Sequence, residues 1–176
     1  SHELLALKEF HLKIVEDLFE EQAAKIAEEV HAYFEDLQAF LKSNKAPNYS
    51  FVYDQVVSYG ELLSTTIIHR YFEFQGWKSF WLDARECIKT DDYYRAANLN
   101  WEETQALINS KANGHQLIIA QGFIGSNSNN FTTTLGREGS DYSAAIFAYA
   151  LNAESVTIWN SLSAKSSWLS LGLFSK

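Results

Sequence analysis

The sequence predicts an α/β domain with a helical amino-terminal half, on three observations. Residues 3 to 42 contain neither Gly nor Pro, and their apolar positions recur at steps of three and four or multiples of these. From Trp77 onward the period shortens, and short apolar runs such as Leu117-Ile118-Ile119-Ala120 have the character of buried strands. Finally, 176 residues with 47% hydrophobic content, one Pro and eight Gly suit a single domain with one real core.

Taken in order, Leu4, Leu7, Ile14, Leu18, Ile26, Val30, Tyr33, Leu37 and Phe40 predict helix across 3–42. Ten acidic against four basic residues in that stretch form its solvated face. Asn44-Lys45-Ala46-Pro47-Asn48 is a turn, and a second helical region runs from about Ser50 to Gln75 with Gly76 as its stop. Strands are expected at Trp77–Leu82, Glu86–Thr90 and Leu117–Ala120, with Trp77, Phe80 and Trp81 in a core or an interface. Asn100 with Glu103 opens a helix over Trp101–Lys111, and Asn113-Gly114 closes it. The turn Ser126-Asn127-Ser128-Asn129-Asn130 leads to a strand at Phe131–Thr134. Ser140 or Asp141 caps a helix over Tyr142–Asn152, and Ser155–Trp159 is a further strand. Residues 160–176 change character, with six serines and no acidic residue.

Composition excludes several function classes. Fourteen basic against 22 acidic residues give a net charge of −8, the wrong sign for nucleic-acid binding. No apolar run approaches the roughly 18 residues of a membrane span. The single Cys87 reads as a small packing residue in a reducing compartment, so a cytoplasmic location is expected. The five histidines are scattered without metal-ligand spacing, so no metal site is expected. Neither a G-x-S-x-G elbow nor a G-x-x-x-x-G-K-[ST] loop is present.

Two segments carry chemistry. Gln121-Gly122-Phe123-Ile124-Gly125 is followed by Thr132-Thr133-Thr134-Leu135-Gly136-Arg137-Glu138-Gly139-Ser140-Asp141, in which Arg137 is the sole Lys or Arg between Lys111 and Lys165. A guanidinium fork leading into the first turn of a helix suits a carboxylate; the alternative is that Arg137 pairs with a surface acid and the glycines serve a tight turn. Upstream, Val57-Ser58-Tyr59-Gly60-Glu61-Leu62-Leu63-Ser64-Thr65 places a glycine inside a helix, at a cost of about 1 kcal/mol relative to Ala, which suggests close approach of backbone or ligand. Glu61 beside it either holds an ammonium group or is a solvated charge.

Together these segments resemble the aspartate kinases of the amino-acid-kinase superfamily, which have V-S-x-G-E-x-x-S-x, Q-G-F-I-G and T-T-T-L-G-R-G-G-S-D-Y-[ST]-A-A; here the matching stretches are Val57–Thr65, Gln121–Gly125 and Thr132–Ala145. The likeness extends to Trp159 and implies a three-layer α/β/α sandwich of the amino-acid-kinase type, truncated, with 1–159 a partial catalytic domain and 160–176 an atypical tail of foreign or frameshifted sequence. It implies transfer of the γ-phosphoryl group of ATP, as its Mg2+ complex, to the side-chain carboxylate of L-aspartate, the first step toward lysine, threonine and methionine, in a full-length protein that is a homo-oligomer. By position, Glu61 would hold the ammonium of aspartate and Arg137 its carboxylate, Ser140 and Asp141 would complete the pocket, and Gly122, Phe123, Gly125, Gly136 and Gly139 would bring backbone close to the substrates.

The chain also departs from that pattern. Glu138 stands where the family usually has Gly. The family's opening K-F-G-G-T-S is absent, and Asn160-Ser161-Leu162-Ser163-Ala164-Lys165 replaces its T-D-V-x-G-[IV]. Lys8 and Lys165 match neither family lysine, so no catalytic residue is assigned and this polypeptide is expected not to turn over. The competing reading is a non-catalytic, kinase-like interaction module that docks through its acidic helices.

Overall fold

The computed structural model describes residues 2–159 and 171–175. Its amino-terminal half is a helical layer of α1 (His2–Phe19), α2 (Ala23–Ser43) and α3 (Tyr49–Phe74). The helix expected across 3–42 is therefore two helices, joined by a 3-10 turn at Glu20–Gln22. No glycine or proline marks that break; Glu20 itself takes the left-handed conformation at φ 49° and lets the chain reverse so that α2 packs on α1. Asn48 caps α3, its side-chain oxygen accepting from the N–H groups of Ser50 and Phe51. Gly76 ends it at φ +82°.

The second half alternates short strands and helices: β1 (Phe80–Leu82), a 3-10 turn at Ala84–Glu86, α4 (Trp101–Ala112), β2 (Ile118–Ala120), β3 (Ile124–Ser126), β4 (Thr132–Thr134), α5 (Gly139–Ala150), β5 (Ser155–Trp159) and β6 (Leu171–Ser175). β1 and β2 pair in parallel, with Trp81 opposite Ile119. β3 and β4 form an antiparallel hairpin, and β5 pairs with β6. The strand expected at Glu86–Thr90 is not formed. Asp83 accepts the Arg85 N–H and winds the chain into the 3-10 turn, leaving single bridges from Lys89 to Ser126 and from Thr90 to Leu99. At α4 the expected cap is present: Asn100 accepts the Glu103 N–H at 3.3 Å and its amide donates to the Glu103 carboxylate at 3.0 Å. The segment 160–170 of the expected atypical tail lies outside the described residues.

α3 is the wall between two apolar clusters. Successive residues on a helix point about 100° apart, so Leu63 and Ile67 pack with Val15, Phe19 and Val30 of the helical layer, while Leu62 packs with Leu82, Ile88, Ile124 and Ile146 beneath the strands. Cys87 is fully buried in the second cluster, where burial pushes its thiol up to about 12, as a packing residue requires. Trp77, by contrast, is 62% exposed and belongs to neither core.

A third face of α3 is polar. Asp54, Ser58, Glu61 and Thr65 follow at three- and four-residue steps, and all but Glu61 are buried. Asp54 accepts the N–H groups of Thr134 (2.8 Å) and Arg95 (3.0 Å) and the Thr134 hydroxyl (2.9 Å). Gln55 pairs with both the N–H and the C=O of Thr132. Two helix side chains thus occupy the outer edge of β4 as a neighbouring strand would, which fixes where the Leu135–Gly139 turn emerges.

Candidate functional site

Of the expected site residues, Gly122, Phe123, Gly139 and Ser140 pack together at the loop from β2 to β3, while no hydrogen bond or ion pair among the described residues joins the side chains of Glu61 or Arg137 to them. Gly122 lies against Ser140, whose Cα would be 3.0 Å from a Cβ added there. A Cβ on Gly139 would sit 2.6 Å from the Phe123 ring, and one on Gly125 would sit 2.7 Å from the Ile88 carbonyl oxygen. These three glycines are required by close packing of loop, strand and helix. The Phe123 N–H donates to the Ser143 hydroxyl at 2.8 Å, so the loop is tied directly to α5.

On the α3 side, Gly60 is exposed and nothing among the described residues lies within 4 Å of its Cβ direction. The close protein contact suspected at Gly60 is not present. Glu61 is half-buried, and its carboxylate has no hydrogen-bond or ion-pair partner among the described residues. Loss of hydration, with nothing to offset it, pushes its carboxyl up to about 7. It is not a solvated surface charge. Below it, Thr65 accepts from the side chains of Gln121 and Trp81 and donates to the Glu61 carbonyl.

The start of α5 differs from the expectation that Ser140 or Asp141 caps it. The helix begins at Gly139, after Glu138 in the left-handed conformation at φ 58°, and the Gly139 N–H closes the turn onto the Gly136 carbonyl. Ser140 and Asp141 consequently lie inside the first turn. Their N–H groups and side chains have no hydrogen-bond partners among the described residues, leaving two backbone donors at the positive end of a 12-residue helix. Gly136, at φ +81°, allows the chain to pass Arg95 before this turn. Replacing Glu138 by Gly removes the left-handed strain, and the variant is expected to be stabilised by about 1 kcal/mol in urea unfolding.

The Arg137 side chain is 95% exposed, and its nearest described carboxylate is Glu138 at 3.9 Å. It is not consumed by a close ion pair. Sequence reasoning missed Asp54 and Gln55, which anchor β4, and gave no role to Thr65 or Gln121. The signal for the helical residues was present: polar side chains at helical spacing within an otherwise apolar helix. No group of three His, Cys, Asp or Glu among the described residues is arranged to hold a metal ion, and no helix among them is long and apolar enough to cross a membrane.

The sequence matches the amino acid kinase family over residues 2–163. It is 35% identical over 137 residues to the lysine-sensitive aspartokinase 3 of Escherichia coli K12, covering 76% of this chain and 30% of that protein. It is 40% identical over 111 residues to the aspartokinase of Chlamydia pneumoniae, covering 60% of this chain and 24% of that one. Solved structures of E. coli aspartokinase III, one in complex with lysine and aspartate (T-state) and one with aspartate and ADP (R-state), each match with a TM-score of 0.77 at 31% identity, over 86% of this chain and 34% of the other. The chain spans about a third or less of the length of these relatives.

Proposed function

Because this chain belongs to the amino acid kinase family, we propose that it carries the aspartate-binding part of an aspartate kinase, an enzyme that moves the γ-phosphoryl group of ATP to the side-chain carboxylate of L-aspartate. The observation that carries this reading is Glu61, a half-buried carboxylate with no partner among the described residues, on a turn of α3 that Thr65 ties to Gln121, the residue before a loop that packs on a helix N-terminus. A buried charge without a counter-charge is costly unless a ligand supplies one. An amino acid has the matching pattern: its ammonium pairs with Glu61, and its carboxylates are met by the Arg137 fork and by the free N–H groups of Ser140 and Asp141. The presence of aspartate in both solved complexes of E. coli aspartokinase III supports the choice of amino acid.

Phosphoryl transfer is mostly positioning and charge neutralisation. In the whole protein ATP arrives with Mg2+ bound to its phosphates, and this chain's part is to hold the acceptor carboxylate still and shielded. The sequence contains neither K-F-G-G-T-S nor T-D-V-x-G, so for the isolated chain we propose aspartate binding without turnover, and assembly into a homo-oligomer only for the longer protein. Hydroxylamine trapping of an acyl phosphate from this chain would contradict the second half of that statement.

Binding is tested by calorimetry with L-aspartate. Glu61 must lose its proton to hold an ammonium, while free aspartate keeps its charges between pH 5 and 8. Affinity is therefore expected to rise with pH up to about 7 and then level off, with a proton released on binding below that point. Arg137→Ala should weaken binding by roughly 1.5–3 kcal/mol, the range for hydrogen bonds to charged groups. A pH-independent affinity, or no binding at all, would remove Glu61 from the role.

A further inference from the structure

We infer that Gln121 is a positioning residue: from the end of β2 its side-chain amide sets the turn of α3 that carries Glu61 in register with the Gly122–Phe123 loop and, through that loop, with the start of α5. Gln121 is 1% exposed. Its Oε1 accepts the Ala84 N–H at 2.7 Å and its Nε2 donates to Thr65 Oγ1 at 2.7 Å. The orientation of the amide follows from chemistry, because a backbone N–H can only donate and so must face the oxygen.

The next step is also fixed. Thr65 Oγ1 accepts from Gln121 and from Trp81 Nε1 at 3.1 Å, which fills its acceptor capacity, and its one proton lies between two carbonyls, the nearer that of Glu61 at 2.8 Å and the farther that of Leu62 at 3.3 Å. A continuous relay of hydrogen bonds thus runs from the 3-10 turn after β1, through Gln121 and Thr65, to the backbone of Glu61. The residues directly after Gln121 are those that pack on Ser140, Gly139 and Ser143. One side chain therefore links both halves of the candidate site without itself facing a ligand. In the part that concerns aspartate, this inference rests on the proposed function.

The test uses Gln121→Leu, Gln121→Glu and Thr65→Val in the full 176-residue chain, with three readouts: thermal midpoint, the Glu61 carboxyl pKa by carbon NMR, and aspartate affinity by calorimetry. Gln121→Glu retains an acceptor for Ala84 but offers Thr65 only oxygen, so the Thr65 proton turns away from the Glu61 carbonyl. Gln121→Leu and Thr65→Val are expected to lower the Glu61 pKa toward the ordinary carboxylate range, Gln121→Glu to keep it raised because its own carboxylate opposes a second charge, and all three to weaken aspartate about tenfold, the scale of one hydrogen bond. In the Thr65→Val background Gln121→Leu should have no further effect on Glu61, since the relay is already cut.

A lower midpoint with Glu61 pKa and affinity both unchanged would reduce Gln121 to a structural residue and overturn the inference. If Gln121→Leu does not fold, Thr65→Val, which cuts the same relay without adding a charge, decides by the same readouts. If the unmodified chain binds no aspartate, the proposed function falls, and the Glu61 titration alone still decides whether Gln121 positions it.

Discussion

Glu61→Gln is expected to make the chain more stable and, at the same time, unable to hold an amino acid. The folded carboxyl sits near 7 against an ordinary value of 4.5. A raised carboxyl pKa means that the unfolded chain gives up its proton first. The neutral form's advantage is therefore fully present below about pH 4.5 and is lost progressively as the pH rises to about 7. At pH 8 the amide variant, which cannot ionise, should be more stable than the parent by about 2 kcal/mol, discounted for partial solvent screening. At pH 4 the difference should vanish. Denaturant unfolding at the two pH values checks this, and calorimetry at pH 8 should show aspartate binding lost by at least tenfold. A residue that stabilises the fold when its charge is removed, and abolishes binding in the same step, is one kept for its ligand.

Asp54→Ala carries the largest expected loss of stability. Burial pushes the Asp54 carboxyl above its ordinary range even though three donors hold its charged form, so the carboxylate is committed to those contacts. Truncation leaves the N–H groups of Arg95 and Thr134 and the Thr134 hydroxyl without their acceptor, at an expected cost of about 3–5 kcal/mol. Asp54→Asn keeps an oxygen for both N–H groups and presents its NH2 to the Thr134 hydroxyl, so its cost should be about 1 kcal/mol. Because β4 leads directly into Leu135–Gly139, the Ala variant should also weaken aspartate where it still folds, whereas loss at a site unconnected to β4 would leave affinity intact.

The parts legible in the sequence were those with local causes. The caps at Asn48 and Asn100, the stop at Gly76, the apolar run of β2 and the burial of Cys87 each follow from a few neighbouring residues. The break at Glu20–Gln22 was not legible, because a non-glycine residue adopts the left-handed conformation only when tertiary packing of α1 on α2 demands it. Nor was the loss of the expected strand at Glu86–Thr90, where the alternation was real but Asp83 captured the backbone first. At the site, the motif residues are legible by likeness to the aspartate kinases, whereas the packing of Gly122 and Phe123 on Ser140, Gly139 and Ser143 depends on contacts between separate elements. The side chains of Ser140 and Asp141 suit a capping role, but a helix start three residues earlier than Tyr142, at Gly139, leaves them with unused donors instead. Gln121 and Thr65 carry no local signal, since a buried hydrogen bond across 56 residues has no periodicity to read.

Titrating the Glu61 carboxyl by carbon NMR, with and without saturating L-aspartate, tests the central claim most directly. Glu61 is expected to titrate near pH 7 in the free chain and to fall toward the ordinary carboxylate range when the ligand's ammonium supplies the missing charge. A free-chain value already in the ordinary range, or one that aspartate leaves unmoved, would contradict it.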